Sequence, residues 1–263
     1  MEVRIVQINL NKCQTAQDLL AQWINEERIA MCIVQEPWRE TRSGWFSSKN
    51  GKAAIWWNRK YLTDPCIQIY KGEYTIAVEN KQITYVSCYC TPNANIRRFE
   101  EMLNKLTDIM QNSHTTVIGG DFNAKSEMWN SGYTDRRGEV TEEWAAMHDL
   151  RIINSKFTPT CVRPQGASII DLTWVTPMML NKISGWEVLE DAISYSDHRY
   201  IRFNINNNNN NNRQLNNRQN KPIKAWCKKY FDNDRFEAAL ECCAQTKISP
   251  RTRMKQVSVL TQL

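Results

Sequence analysis

The chain lacks the features that mark several large classes of protein. No stretch approaches the roughly 18 consecutive apolar residues of a membrane-spanning helix. The opening Met1-Glu-Val-Arg-Ile5 has neither the charge pattern nor the apolar length of a secretory signal, and it leads directly into a strand-like run. The nine cysteines are an odd number, none forms a C-x-x-C pair, and Cys32, Cys88 and Cys161 lie inside apolar runs. That fits a reduced, intracellular chain whose cysteines act as small hydrophobes. Cys88 and Cys90 have no histidine nearby, so a zinc site has little support. There is no G-x-S-x-G elbow, and the adjacent Ser196, Asp197 and His198 cannot line up as nucleophile, base and orienter, so a serine hydrolase is a poor reading. Internal repeats are absent.

What is present is an ordinary globular composition with an uneven charge. A hydrophobic fraction of 41% over 263 residues is enough for one large α/β domain and an appendage. The net charge of +6 belongs to the C-terminal end: residues 213–263 hold 11 Lys+Arg against 4 Asp+Glu, leaving 23 against 24 before them. Such a tail suits a polyanionic partner, and a solvated tail explains it as well.

The apolar pattern predicts strands at Val3–Asn9, Ala30–Gln35, Ala53–Trp57, Cys66–Tyr70, Tyr74–Val78, Ile83–Tyr89, His114–Ile118, Leu150–Asn154, Ser168–Trp174, Trp186–Leu189 and Tyr200–Ile205. The run of strands from Ala53 to Tyr89, joined by short polar turns, predicts antiparallel neighbours. Helical spacing predicts an amphipathic helix through Ala16, Leu19, Leu20, Trp23 and Ile24. A second carries Ile96, Phe99, Leu103, Leu106 and Met110 on one face behind an Asn95 cap, and a short third helix covers Val140–His148. Helices interleaved with strands give an α/β layered domain with mixed sheets.

The chemistry gathers around Gly119-Gly120-Asp121-Phe122-Asn123-Ala124-Lys125. The two glycines are expected to turn the chain at the strand end, with Asp121 and Asn123 pointing to one side. Alone, this is an Asp/Asn-rich turn. Other strand ends also present polar residues, namely Asn9, Glu36, Tyr89 and the pair Asp197-His198. Asp171 stands among Ile169, Ile170 and Leu172, where a buried acid needs a partner or an ion. Taken jointly, these termini predict one site at the carboxyl edge of a sheet. Asn9, Glu36, Asp121 and Asn123 offer hard oxygen donors suited to Mg²⁺. Asp171 beside His198 would fix the imidazole tautomer and raise its basicity. The set outlines metal-assisted attack of water on a phosphodiester.

Gln7-Ile8-Asn9, Gln35-Glu36, Gly120–Lys125, Ile169–Thr173 and Ser196–Arg199 resemble, in order and spacing, the endonuclease/exonuclease/phosphatase superfamily. Trp129, Asp135-x-Arg137-Gly138, Pro159-Thr160 and the Ile-Ile-Asp-Leu-Thr run are similar to its branch in arthropod non-LTR retrotransposon polyproteins. The family's Tyr-x-Pro-Asn is one residue longer here, as Tyr89-Cys-Thr-Pro92-Asn93. The resemblance covers about residues 3–205. It implies a four-layer α/β/β/α sandwich of DNase I-like type. It also implies DNA nicking dependent on Mg²⁺, or Mn²⁺ in its place, that leaves a 3′-hydroxyl to prime reverse transcription. By the same resemblance Asn9 and Glu36 hold the metal, and Asp197 joins the metal and water network. Asp121 and Asn123 position water and phosphate, Tyr89 and Thr160 touch the phosphate, and Asp171 orients His198. Either Asp121 or His198 takes the proton. Trp129, Arg136 and Arg137 are candidates for DNA contact, as is the Trp38–Trp45 segment. Trp129 fits a core position as well.

The implied organisation is a catalytic domain at 1–205, an Asn-rich linker at 206–220 containing Asn206–Asn212, and a basic tail at 221–263. The tail resembles the start of a linker to a reverse transcriptase that does not follow, so the chain reads as a fragment or truncated copy. Its expected partners are DNA, the element's RNA and that reverse transcriptase, with no membrane, and its expected place of action is the nucleus. Two rivals remain: a phosphatase on the same scaffold, and an inactive co-opted copy that binds nucleic acid through the tail.

Overall fold

The computed structural model describes residues 2–39, 43–155 and 157–206. The chain divides into units Met1–Leu215 and Asn216–Leu263, and every described residue belongs to the first. Apart from Asn206, the expected linker and tail lie outside the described residues. No described helix is long and apolar enough to cross a membrane.

The apolar runs become strands β1 (Glu2–Asn9), β2 (Met31–Gln35), β3 (Trp45–Ser47), β4 (Ala53–Trp57), β5 (Ile67–Lys71), β6 (Thr75–Asn80) and β7 (Ile83–Tyr89). They continue as β8 (Thr116–Asp121), β9 (Arg151–Ile152), β10 (Cys161–Arg163), β11 (Gly166–Ser168), β12 (Asp171–Val175), β13 (Ile183–Val188) and β14 (Ile201–Asn206). Helices α1 (Gln14–Glu26), α2 (Ile96–Gln111), α3 (Arg136–Met147) and α4 (Pro177–Leu180) lie between them. The caps follow the sequence. The Asn95 side chain accepts from the Arg98 N–H at the start of α2, and that of Asp135 accepts from Gly138 at the start of α3.

Two six-stranded sheets form, ordered β13-β14-β1-β2-β4-β3 and β5-β6-β7-β8-β12-β9, beside the hairpin β10-β11. They pack face to face, with Ile5, Ile33 and Ile55 of one against Ile76, Tyr85 and Val117 of the other. On the outside, α1 covers the first sheet through Ala16, Leu20 and Ile24. Helices α2 and α3 cover the second through Phe99, Leu106 and Trp144. Each such buried side chain contributes roughly 1.5–3 kcal/mol over its exposed state. The result is the four-layer mixed-sheet sandwich expected.

Three local expectations are corrected. Strand β4 leaves the antiparallel run: only β5, β6 and β7 are sequential neighbours, while β4 pairs with β2 and β3 in the other sheet. Helix α3 starts at Arg136, four residues before the expected Val140, so Arg136–Gly138 form its first turn. Gly119 and Gly120 do not turn the chain but lie inside β8. Their need is close approach. A Cβ at Gly119 would stand 2.6 Å from Gln7 Oε1, and one at Gly120 would stand 2.4 Å from Cys88 Sγ.

That close approach belongs to a polar seam between the sheets. Gln7 Nε2 donates to the carbonyls of Gly120 and Leu172, and Gln7 Oε1 accepts from Thr173 Oγ1 at 2.9 Å. Gln35 Nε2 donates to Ser87 Oγ and the Gly119 carbonyl, and Ser87 Oγ donates to the Val34 carbonyl. These side chains are fully buried, so each bond is made where an unmade one would be costly. The seam fixes the offset of one sheet against the other beneath the site.

Candidate active site

The central pair of each sheet is parallel, β1 with β2 and β7 with β8. Their C-terminal ends therefore leave the sandwich on one edge, carrying Asn9, Gln35-Glu36, Tyr89 and Asp121. β12 runs antiparallel to β8 in a register that sets Asp171 against Asp121. The predicted strand through Ser168–Trp174 breaks there, so Asp171 opens β12 instead of lying inside a strand. His198 precedes β14, the antiparallel neighbour of β1. Topology alone thus gathers residues separated by up to 189 positions (Asn9 to His198) in the sequence.

At the centre lies a buried trio, Asp121, Asp171 and His198, whose ligand-type atoms are all within 4.8 Å of one another. His198 Nδ1 is 2.8 Å from Asp171 Oδ2, and His198 Nε2 is 4.0 Å from Asp121 Oδ2. Asn9 Nδ2 donates to Asp121 Oδ2 at 2.9 Å, and the Asn123 N–H donates to Asp121 Oδ1 at 3.0 Å. Asp171 Oδ1 is buried without a hydrogen-bond partner. Burial, and after it the charge of Asp171, pushes the Asp121 carboxyl up to about 7. Burial favours neutral His198, but the charge and hydrogen bond of Asp171 outweigh it and hold the imidazole well above its ordinary range.

The rim differs from the centre. Glu36 sits half-buried with φ 44°, its backbone N–H bonded to the Lys52 carbonyl. Tyr89 is buried, and burial first and then the neighbouring Glu36 charge raise its pKa. The Asp197 carboxylate turns outward, accepting from Arg163 Nε at 3.1 Å and Asn11 Nδ2 at 3.5 Å. Asn123 is not extended. It adopts φ 47°, and its Nδ2 donates to the Cys90 carbonyl, leaving the second amide proton and Oδ1 for another partner.

Several candidates have a different place. Thr160 is fully buried, and its hydroxyl accepts from the N–H groups of Ile170 and Asp171, so it supports the Asp171 backbone instead of reaching a phosphate. Trp129 is only 1% exposed, edge-on to Trp174 with Nε1 bonded to the Ala124 carbonyl; it is core, not a DNA contact. Arg137 is buried too. Its guanidinium lies over Phe99 and donates to the carbonyls of Thr91, Pro92, Ala94 and Asn123. It ties the loop after β7 to the loop after β8. Arg136 is exposed and pairs with Glu139. Of the 38–45 segment, Trp38 is exposed and Trp45 stacks on Trp56, while 40–42 lie outside the described residues.

Residues that the motifs contain without an expected role complete the frame. Ser196 Oγ donates to the Asn9 carbonyl and accepts from the His198 N–H. The seam glutamines lie just before the site residues, Gln7 two residues ahead of Asn9 and Gln35 directly ahead of Glu36. They carry the same signal as Asp171, a polar residue in an apolar strand.

A divalent cation fits this donor set. Asn9 and Glu36 stand at the ends of adjacent strands, register-paired through Asn9 and Gln35, and both bring hard oxygen atoms. Asn9 donates from Nδ2 to Asp121 and accepts one bond at Oδ1, from the Asn11 N–H at 2.8 Å, which leaves that oxygen a second lone pair, whereas in the trio His198 Nδ1 and Asp171 Oδ2 are already hydrogen-bonded to each other.

A family described as endonuclease-reverse transcriptase matches residues 83–202. Among solved structures, the endonuclease domain of TRAS1, a telomere-specific non-LTR retrotransposon, is similar at 30% identity and TM-score 0.71, over 78% of this chain and 99% of that one. An AP endonuclease from Archaeoglobus fulgidus shares the fold at 15% identity and TM-score 0.59, over 76% and 98%. So does a 3′-5′ exonuclease from Neisseria meningitidis, at 12% and 0.60, over 78% and 100%. Among curated proteins nothing matches. Strand order, buried trio and comparisons agree: the chain belongs to the endonuclease/exonuclease/phosphatase superfamily, among the endonucleases of non-LTR retrotransposons.

Proposed function

We propose that the chain is a Mg²⁺-dependent DNA endonuclease, with Mn²⁺ as a substitute ion. It nicks one strand and leaves a 3′-hydroxyl that primes reverse transcription of the element's RNA at a chromosomal site. The observation that carries this reading is the convergence of Asp121, Asp171 and His198 on the sheet edge where Asn9 and Glu36 also end.

Glu36 and Asn9 would hold the Mg²⁺, which when bound supplies positive charge to a phosphate oxygen. Asn123 would hold that phosphate or the attacking water, through its uncommitted amide proton and Oδ1. His198, tied to Asp171 through Nδ1, presents Nε2 as a charged donor to the charge that develops on the phosphate. A protonated imidazole cannot accept the water's proton, so Asp121 is the better acceptor. Thr160 and Asp171 position this relay without touching substrate.

The test is relaxation of supercoiled plasmid. Nicked circles should form with Mg²⁺ and vanish in EDTA, and Asp121→Ala and His198→Ala should each slow nicking by on the order of 100-fold or more. A plasmid left intact by the wild type across divalent metals overturns the proposal.

A further inference from the structure

We propose that Tyr195 is a stacking platform for the nucleobase that flanks the scissile phosphate. This rests on the DNA-nicking reading above. Tyr195 adopts φ 54°, the left-handed region, where asparagine and glycine are at ease and a bulky side chain is strained. Among the non-glycine residues of positive φ in the described chain, it is the one aromatic. The strain is not repaid by packing, because Tyr195 is 60% exposed and the neighbouring Ile193 is 69% exposed. Strain that no contact relieves points to a role outside the folded chain itself.

The segment around Tyr195 is held, and what holds it is the catalytic edge. Ser194 is buried, donates from Oγ to the His198 carbonyl at 2.7 Å and accepts from the Ser196 N–H at 3.2 Å. Ser196 Oγ donates to the Asn9 carbonyl at 2.7 Å. The side chains of Ser194 and Ser196 are thus latched to backbone atoms of His198 and Asn9, while Ile193 and Tyr195 are left exposed. Tyr195 is two residues from Asp197 and three from His198. On the same rim, exposed Lys12 follows Asn11, which reaches Asp197, and it adds a positive charge where a phosphate chain would pass. An exposed ring on this edge would meet whatever adjoins the cleaved bond. On DNA that is a base, and every base offers a π-face regardless of its identity.

The test uses the full chain with Tyr195→Asn, Tyr195→Ala and Tyr195→Phe. Asparagine keeps the left-handed backbone and relieves its strain, so Tyr195→Asn should unfold at a higher temperature than the wild type, which removes misfolding as an explanation of any loss. Duplexes carry 2-aminopurine, or an abasic site, at each step around a mapped nick. Binding is measured in EDTA by 2-aminopurine fluorescence and by competition. Expected are an affinity loss of about 5- to 100-fold for the Asn and Ala variants on base-bearing duplex, little loss for Phe, and no loss on duplex abasic at the stacked step. In Mg²⁺ the same variants should raise KM with kcat little changed. Equal binding by all variants overturns the inference, as does an equal loss on base-bearing and abasic DNA. A wild type that neither binds nor nicks DNA instead overturns the endonuclease reading on which the inference rests.

Discussion

Asp171→Asn removes one negative charge from the buried trio while keeping its shape, and its consequences are read in the metal-free protein. Burial, then Asp171, moves the Asp121 carboxyl from 3.8 to about 7, which corresponds to roughly 4 kcal/mol. Asp171 also holds His198 well above 6.5 against the opposing effect of burial. Both folded-state pKa values are raised, so the folded chain binds more protons than the unfolded one. The Asp121 contribution is fully present below about pH 3.8 and lost as pH passes about 7. That of His198 is present below about 6.5 and lost as its raised pKa is passed. With asparagine at 171, both elevations shrink, so stability should fall less steeply with pH. The assay is urea unfolding in EDTA from pH 5 to pH 8. The variant should be less stable than the wild type at pH 5, with the gap narrowing by on the order of 1–3 kcal/mol by pH 8. With Mg²⁺ restored, nicking at pH 7 should drop about 100- to 10,000-fold, because the imidazole loses its orienting partner. Parallel stability curves would refute the coupling between the two carboxyls.

Three other substitutions separate structural from functional roles. Gly120→Ala places a Cβ 2.4 Å from Cys88 Sγ and 2.6 Å from its carbonyl oxygen, and should cost at least about 1–3 kcal/mol in urea unfolding; a wild-type midpoint would contradict the close packing of β7 on β8. Arg137→Lys cannot serve the four carbonyls that the guanidinium joins, and should lose about 2 kcal/mol of stability while leaving the salt dependence of DNA affinity unchanged. A shallower salt slope for that variant would return Arg137 to the DNA surface. Arg136→Ala should do the reverse, changing stability by less than about 0.5 kcal/mol and lowering the log–log salt slope by about 1 if Arg136 meets a phosphate.

The candidate site was legible as a cluster because its residues break the apolar pattern. Asn9, Glu36, Asp121 and His198 stand where apolar runs stop, and Asp171 interrupts one. Parallel central strands then bring the ends to one edge, a consequence of topology that the order of helices and strands already implies. What sequence could not reveal depends on the third dimension. Arg137 and Arg136 are adjacent and identical in type, yet one is buried under carbonyls and the other is solvated, because α3 turns them to different faces. Trp129 fitted core or surface until Trp174 and the Ala124 carbonyl gave it a place. The hairpin β10-β11 was missed because its three-residue strands are too short to show alternation. Gly119-Gly120 looked like a turn because glycine serves turns and close approaches equally. Only the Gln7 and Cys88 atoms above them tell the two apart.

The most direct measurement of the central claim is the chemistry of the cut end. A duplex labelled at its 5′ end is incubated with the full chain and Mg²⁺, and the product is offered to a DNA polymerase with labelled nucleotides. A single-strand cut whose 3′ end is extended without prior phosphatase treatment is the predicted result, absent in EDTA and with Asp121→Ala. A cut end that extends only after phosphatase treatment, or release of inorganic phosphate with the strand uncut, would contradict the account.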